Sequence, residues 1–264
     1  MEEELLRLDL ARAWLAEGTG RGVKIAVIDS GVNPSHPAVA GLKLIDDIAI
    51  VEKGASLEVV PGEGKDFYGH GTALTSIIRR LAPEAEIGSI RVLGERLKSR
   101  TAIIQEGARQ ALDRGYHILN CSFGCGIEEH LLRYKAWVDE AYLKNTHIVS
   151  ACNNNDYQKP EWPGHFPSVL TANFCHTEDP LQFFFRPGHL VEFVANGEEV
   201  EVPWLDGSVK KVTGSSYAAA HLTGLLARIL SRRPGLGPLE AKLVMQKLAA
   251  RWPENPDDPN EPTD

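Results

Sequence analysis

The stretch Val23-Lys24-Ile25-Ala26-Val27-Ile28-Asp29-Ser30-Gly31 decides the fold. A short run rich in β-branched residues, without polar alternation, is the pattern of a strand buried on both faces of a parallel sheet. It breaks off at Asp29-Ser30-Gly31, three residues that favour turns. A carboxylate at the C-terminal end of such a strand lies where α/β sheets place their sites. A plain strand-end turn would put the same residues there, so the stretch fixes architecture before it fixes function.

Working outward, residues 3–17 read as an amphipathic helix with Leu6, Leu10, Ala13 and Trp14 on one face and Gly18 ending it. Residues 42–60 read as strand, turn and strand around Lys53-Gly54. Helix 73–81, strand 87–93, helix 101–114, strand 117–121, helix 128–144 and strand 146–151 then alternate. Strand 168–174 follows, with shorter strands near 190–194 and 200–202 and helices over 216–232 and 238–251. Such alternation predicts an α/β fold with three layers, α/β/α, around a mostly parallel sheet. No repeat or linker divides the chain, so residues 1–251 are expected to form one domain. Residues 252–264, rich in Pro, Asp, Glu and Asn, are expected to be a disordered tail. Phe183-Phe184-Phe185 reads either as a core strand or as an exposed contact.

Two further stretches carry chemistry. Gly214-Ser215-Ser216-Tyr217-Ala218-Ala219-Ala220-His221 delivers serines to the first turn of an apolar helix. Free N–H groups and the positive end of the helix dipole would lie beside the hydroxyl, where an oxyanion could form. A glycine-serine N-cap is the plainer reading. Asp66-Phe67-Tyr68-Gly69-His70-Gly71-Thr72 opens another helix and sets a histidine between two glycines, approachable and with a free imidazole. A serine hydroxyl is a poor nucleophile near neutral pH. It needs a base, and the base needs a carboxylate to fix its tautomer. Ser216, His70 and Asp29 supply that set.

Composition narrows the class. The net charge of −8 disfavours a broad nucleic-acid surface. No apolar run approaches the ~20 residues that span a bilayer, so no membrane partner is expected. Met1-Glu2-Glu3-Glu4 is acidic where a secretory signal begins basic. The expectation is a cytoplasmic protein, or a secreted one if the chain is a piece of a larger precursor. The four cysteines, Cys121, Cys125, Cys152 and Cys175, are too few for a disulfide scaffold and lack zinc-site spacing, which predicts free thiols.

Val27-Ile28-Asp29-Ser30-Gly31 resembles the aspartate motif of the subtilases, peptidase family S8. His70-Gly71-Thr72 is similar to the histidine motif, and 214–221 resembles the serine motif. The order Asp, His, Ser is that of subtilisin. Ile118-Leu119-Asn120-Cys121-Ser122-Phe123-Gly124 is similar to the family's substrate-binding strand, and Trp162-Pro163-Gly164-His165-Phe166-Pro167-Ser168-Val169 to another family stretch. The resemblance runs from about Ala13 to Ala249. It implies a subtilisin-like fold and a serine endopeptidase acting through an acyl-enzyme on peptide or protein substrates, without a cofactor. Ser216 would be the nucleophile, His70 the base and then the acid, and Asp29 its orienting partner. Asn153 would be the oxyanion donor, with Asn154 as the alternative. Ser122, Phe123, Gly124, Ala151, Cys152 and Glu161 would line the substrate site.

The departures from the family pattern are informative. Cys152 replaces a glycine and is expected to narrow the S1 wall, as a small buried hydrophobe or as a reactive thiol. Ala220 and Tyr217 replace a proline and a methionine. The stretch from His70 to Ile87 is too short for the loop that carries the family's strong calcium site, so that site is expected to be missing, with no other metal site. Asp46-Asp47 reads as a solvated turn rather than a cation site. Glu161 matches the floor of S1, where a carboxylate would favour Arg or Lys at P1; a surface-loop glutamate is the alternative. Arg96, Lys98 and Arg100 read as a solvated edge, with selection of acidic residues upstream of the scissile bond as the other reading. No prodomain of the usual length is expected, which suggests an intracellular processing protease. Two rival readings remain: a peptide ligase or macrocyclase using the same acyl-enzyme, and a non-catalytic binding protein on a subtilase scaffold.

Overall fold

The computed structural model describes residues 7–253. In chain order the elements are α1 (Leu8–Glu17), β1 (Lys24–Asp29), β2 (Asp47–Lys53), β3 (Ser56–Pro61), α2 (His70–Leu81), β4 (Glu86–Arg91), α3 (Thr101–Asp113), β5 (Ile118–Cys121) and α4 (Leu131–Leu143). Then come β6 (His147–Ala151), β7 (Leu170–Cys175), β8 (Phe184–Phe185), β9 (Phe193–Asn196), β10 (Val200–Pro203), β11 (Val209–Val212), α5 (Ser215–Arg232), α6 (Pro238–Leu248) and β12 (Ala250–Arg251). Ten strands form one sheet in the order β12-β8-β9-β7-β6-β5-β1-β4-β2-β3. All neighbours run parallel except β2 with β3 and β8 with β9. A separate hairpin pairs β10 with β11.

The β1 sequence explains the layering. Side chains alternate across a strand, so Ile25 and Val27 join the core on one face while Ala26 and Ile28 join the core on the other. The first face is covered by α1, α2, α5 and α6, and the second by α3 and α4. After β1 the chain builds β2–β4 on one side and β5–β9 on the other. That reversal opens a crevice at the C-terminal ends of β1 and β5, the usual place for an α/β site.

Helix α5 is the axis of the larger core. Leu222, Leu225, Leu226 and Ile229 are fully buried, each worth roughly 1.5–3 kcal/mol of burial. Its N-cap, Gly214, makes no side-chain capping bond. A cap is worth only about 1 kcal/mol, so packing rather than capping holds this helix. Arg228 fixes its far half, donating to Leu15 O (2.6 Å), Ala16 O (2.5 Å) and Leu81 O (2.7 Å), carbonyls at the C-terminal ends of α1 and α2. On α6, the buried ammonium of Lys242 donates to Pro167 O (2.6 Å) and Val169 O (3.1 Å) and pairs with the Glu192 carboxylate.

Several sequence expectations change in detail. The first helix begins at Leu8; residues 3–6 of its expected span lie outside the described residues. The helix expected over 128–144 opens as a 3-10 turn, Glu128–His130, before α4. Phe183 is 2% exposed and leads into β8, so the phenylalanine run is core and edge strand rather than a contact. The helix expected over 238–251 stops at Leu248, and Ala250–Arg251 instead form the two-residue strand β12 beside β8. Asp46 and Asp47 are not a solvated turn: Tyr116 Oη donates to Asp46 (2.7 Å) and Gly64 N to Asp47 (2.6 Å). The tail is read from Trp252, whose ring meets Phe184 edge-on at 5.1 Å; from 254 onward it lies outside the described residues.

Candidate active site

Asp29 is the last residue of β1, and the start of α2 packs directly onto it. Gly71 permits the approach, since a Cβ there would meet Gly31 O at 2.1 Å and Asp29 Cβ at 3.4 Å. His70, one residue earlier, is thereby set against the carboxylate. Its Nδ1 donates to Asp29 Oδ1 at 2.8 Å, with Asp29 fully buried and His70 4% exposed. A carboxylate can only accept, so Nδ1 carries the proton and the Nε2 of the neutral ring is left as an acceptor. Burial alone would push His70 down, but the charge and hydrogen bond of Asp29, helped by the charge of Asp66, outweigh it and hold His70 above its ordinary value. The Tyr217 ring stands edge-on to the imidazole at 5.5 Å.

Asp66 organises the turn that presents His70. Its Oδ1 accepts from Ser30 Oγ (2.7 Å), Tyr68 N (3.1 Å) and Gly69 N (2.7 Å). Its Oδ2 accepts from Thr72 N (2.8 Å) and Thr72 Oγ1 (2.7 Å). One carboxylate thus caps the N-terminus of α2 and ties it to the end of β1. Asp66 belongs to none of the catalytic motifs in the sequence. The available signal is an acid just ahead of a helix start, a capping pattern.

Ser216 is the second residue of α5. Its Oγ donates to Ser122 O at 3.4 Å, a long bond, and Ser122 Oγ donates back to Ser216 O at 3.1 Å. Asn120 Nδ2 steadies Ser122 (3.0 Å), while Asn120 Oδ1 accepts from Thr223 Oγ1 (2.9 Å). Among the described residues Ser216 Oγ makes no hydrogen bond to His70 in this conformation. Ser215 anchors the same turn through Oγ to Cys152 O (2.7 Å). The first turn of the serine helix is therefore laced to the ends of β5 and β6. Sequence reading misses Asn120 and Thr223, because only the fold brings residues 103 positions apart into contact.

The remaining candidates fall around this centre. Phe123 and Gly124, after Ser122, line a cleft of about 560 Å³ together with Thr101, Ile104 and His130. Lys98 and Arg100 also line it, and Arg100 pairs with Glu52. Arg96 is exposed. Ala151 ends β6, 5% exposed. The two asparagines read as alternatives do different things. Asn154 Oδ1 accepts from Ser215 N at 2.8 Å, bracing the serine helix. Asn153 Oδ1 accepts from Asn155 N (2.9 Å) and Asp156 N (3.1 Å), and its Nδ2 donates to Glu161 Oε1 at 2.7 Å. Glu161 is half-buried and borders Gly124, so it is not a free surface-loop glutamate. Cys152 departs from the expectation of a narrowed S1 wall: it packs with Tyr157 and Val191 and points Sγ at Asn173 Oδ1, 3.7 Å away. Burial raises its thiol to about 12, which makes it a small core side chain rather than a reactive one.

No helix among the described residues is long and apolar enough to cross a membrane, and none of them form a group of three or more His, Cys, Asp or Glu able to hold a metal ion.

A parallel α/β sheet with a buried Asp–His pair at its switch point, beside a serine on a helix N-terminus, defines a serine hydrolase. The chain belongs to the subtilase family, whose model matches residues 20–261. It is 27% identical over 250 residues to the minor extracellular protease Epr of Bacillus subtilis (strain 168), covering 91% of this chain and 37% of that one. It is 25% identical to thermitase of Thermoactinomyces vulgaris, covering 86% of this chain and 81% of that one. Among solved structures, sphericase superposes with a TM-score of 0.74 at 22% identity, covering 87% of this chain and 83% of that one, a likeness of fold. The class is thus a subtilisin-like serine protease, a hydrolase of peptide bonds.

Proposed function

We propose that the protein is an endopeptidase in which Ser216, His70 and Asp29 act in sequence on peptide bonds that follow Arg or Lys. Substrate binding turns Ser216 Oγ from its long bond with Ser122 O towards His70 Nε2. As Oγ attacks the scissile carbonyl, Nε2 takes its proton, and Asp29 stabilises the imidazolium. The carbonyl oxygen becomes an oxyanion, met by the Asn153 amide and by the first-turn N–H of Ser216. Collapse breaks the C–N bond as His70 returns the proton to the leaving amine. Water, deprotonated by the same histidine, then cleaves the acyl-enzyme ester and restores Ser216. Side chains suffice for these proton transfers, and we assign the reaction no cofactor.

The observation that carries this reading is the 2.8 Å contact from His70 to the buried Asp29, at the crevice where the serine helix begins. Apo sites often hold the nucleophile off its base, so the Ser216 rotamer agrees with it. Glu161 carries the P1 preference: it borders Gly124, in the segment after β5 against which the substrate's P1 residue would lie. The compartment we read is the cytoplasm, supported by the four free thiols; cell fractionation separates this from secretion. The test of the activity is a set of P1-varied fluorogenic peptides with Ser216→Ala alongside. Cleavage after Arg and Lys that vanishes in the variant supports the reading, and product mass separates hydrolysis from ligation. Unlabelled Ser216 after exposure to a fluorophosphonate, with no peptide cut, would overturn it.

A further inference from the structure

Asn153 and Glu161 share a bond with a kinetic consequence. The plane of the Asn153 amide is fixed, because Oδ1 accepts from the N–H groups of Asn155 (2.9 Å) and Asp156 (3.1 Å). Nδ2 therefore carries both remaining hydrogens, and one goes to Glu161 Oε1 at 2.7 Å. The second is the one left for an oxyanion. Glu161 is held as firmly. Trp162, next to it, exchanges both main-chain bonds with Cys125, each 3.0 Å. The second carboxylate oxygen fills the space beside Gly124, where a Cβ would come within 2.4 Å of it. The carboxylate thus lies between the Asn153 amide and Gly124.

We infer that the Asn153 amide bridges the Glu161 carboxylate and the oxyanion, so that the charge of the P1 side chain is read in the rate of acylation rather than in binding alone. The inference rests on the basic-P1 reading given above. Two acceptors on one NH2 group stand roughly 5 Å apart. An oxyanion forming there meets an existing negative charge through the group that stabilises it. A cationic P1 side chain neutralises that charge, and an uncharged one leaves it. At an effective dielectric of about 20, like charges at this separation oppose the transition state by roughly a hundredfold in rate. Glu161 is then both the reader of P1 and a positioning residue for the oxyanion donor.

Single-turnover acylation of two peptides identical except for Arg or its neutral isostere citrulline at P1 tests this in the wild type, Glu161→Gln and Glu161→Ala. Glutamine keeps an acceptor for Asn153 Nδ2 and removes only the charge, and melting temperatures check that each variant is folded. In the wild type the acylation rate constant is expected to fall by about a hundredfold from Arg to citrulline. In Glu161→Gln the ratio is expected to approach one, with citrulline acylated faster than by the wild type. Glu161→Ala also removes the tether, so its rates are expected to drop for both peptides relative to Glu161→Gln. Discrimination confined to substrate affinity, with equal acylation rates, would overturn the coupling and leave the basic-P1 reading standing. Equal acylation and equal affinity for both peptides in the wild type would sink the basic-P1 reading. The coupling is then judged by Glu161→Gln on the citrulline peptide, where an unchanged rate overturns it.

Discussion

Asp66→Ala is the perturbation with the most to say about how the site is held. Five donors converge on this carboxylate: the main-chain N–H groups of Tyr68, Gly69 and Thr72, and the hydroxyls of Ser30 and Thr72. Losing a helix cap costs about 1–2 kcal/mol, and a hydrogen bond to a charged group contributes about 1.5–3 kcal/mol. Asp66 is only half-buried, so water replaces part of what is lost. The expected loss is about 2–4 kcal/mol, or roughly 5–15 °C in melting temperature for a chain of this size. A second effect concerns His70. Because the charge of Asp66 helps hold His70 above its ordinary value, removing it lets the imidazole lose its proton at lower pH. The base is active when neutral, so the acid limb of kcat/KM moves to lower pH. Asp66→Asn, which keeps the size, should shift that limb in the same direction with a smaller loss of stability. Calorimetry and a pH series of kcat/KM measure both. A melting temperature within about 2 °C of the wild type, with the acid limb unmoved, would refute the reasoning.

Lys242→Met leaves Glu192 buried without its cation and two carbonyls without their donor. We expect a loss of about 3–5 kcal/mol by calorimetry, recovered in large part by Lys242→Met with Glu192→Met. His147 and His221 are each pushed down to about 4, by burial above all. Below pH ~6.5 the unfolded chain takes up protons that the folded chain refuses. Stability is therefore present above pH ~6.5 and falls by roughly 3 kcal/mol per histidine as pH drops towards 4, to be read in urea titrations across that range. Helix α2 runs unbroken from His70 to Leu81 with β4 starting at Glu86. We expect EDTA to change the melting temperature by less than about 2 °C; a larger fall would reveal a calcium site.

The parts of the fold and site that were legible in sequence are those whose signal is local. The run 23–28, apolar except for Lys24, sets a buried strand by itself, and the glycines around His70 and ahead of Ser216 mark their turns within a few residues. The parts that escaped depend on distant chain segments meeting. Asn120 and Thr223 join only once α5 lies across β5. The Asn153–Glu161 bond needs the loop between them to fold back, although eight positions separate them. Strand β11 lacks a local signal for another reason. Val209-Lys210-Lys211-Val212 has no apolar alternation, and it is a strand because β10 pairs with it, Glu201 opposite Lys211.

The ammonium of Lys242 sits among two carbonyl oxygens and a carboxylate, the ligand chemistry that proteins otherwise offer to hard metal ions. Here the cation arrives on a side chain. The stabilisation a bound ion gives depends on its free concentration relative to its Kd, and dilution or a chelator removes it. A cation carried by the chain has neither weakness. The seam joining α6 to the segment before β7 should hold equally in fresh water, brine or a metal-starved medium.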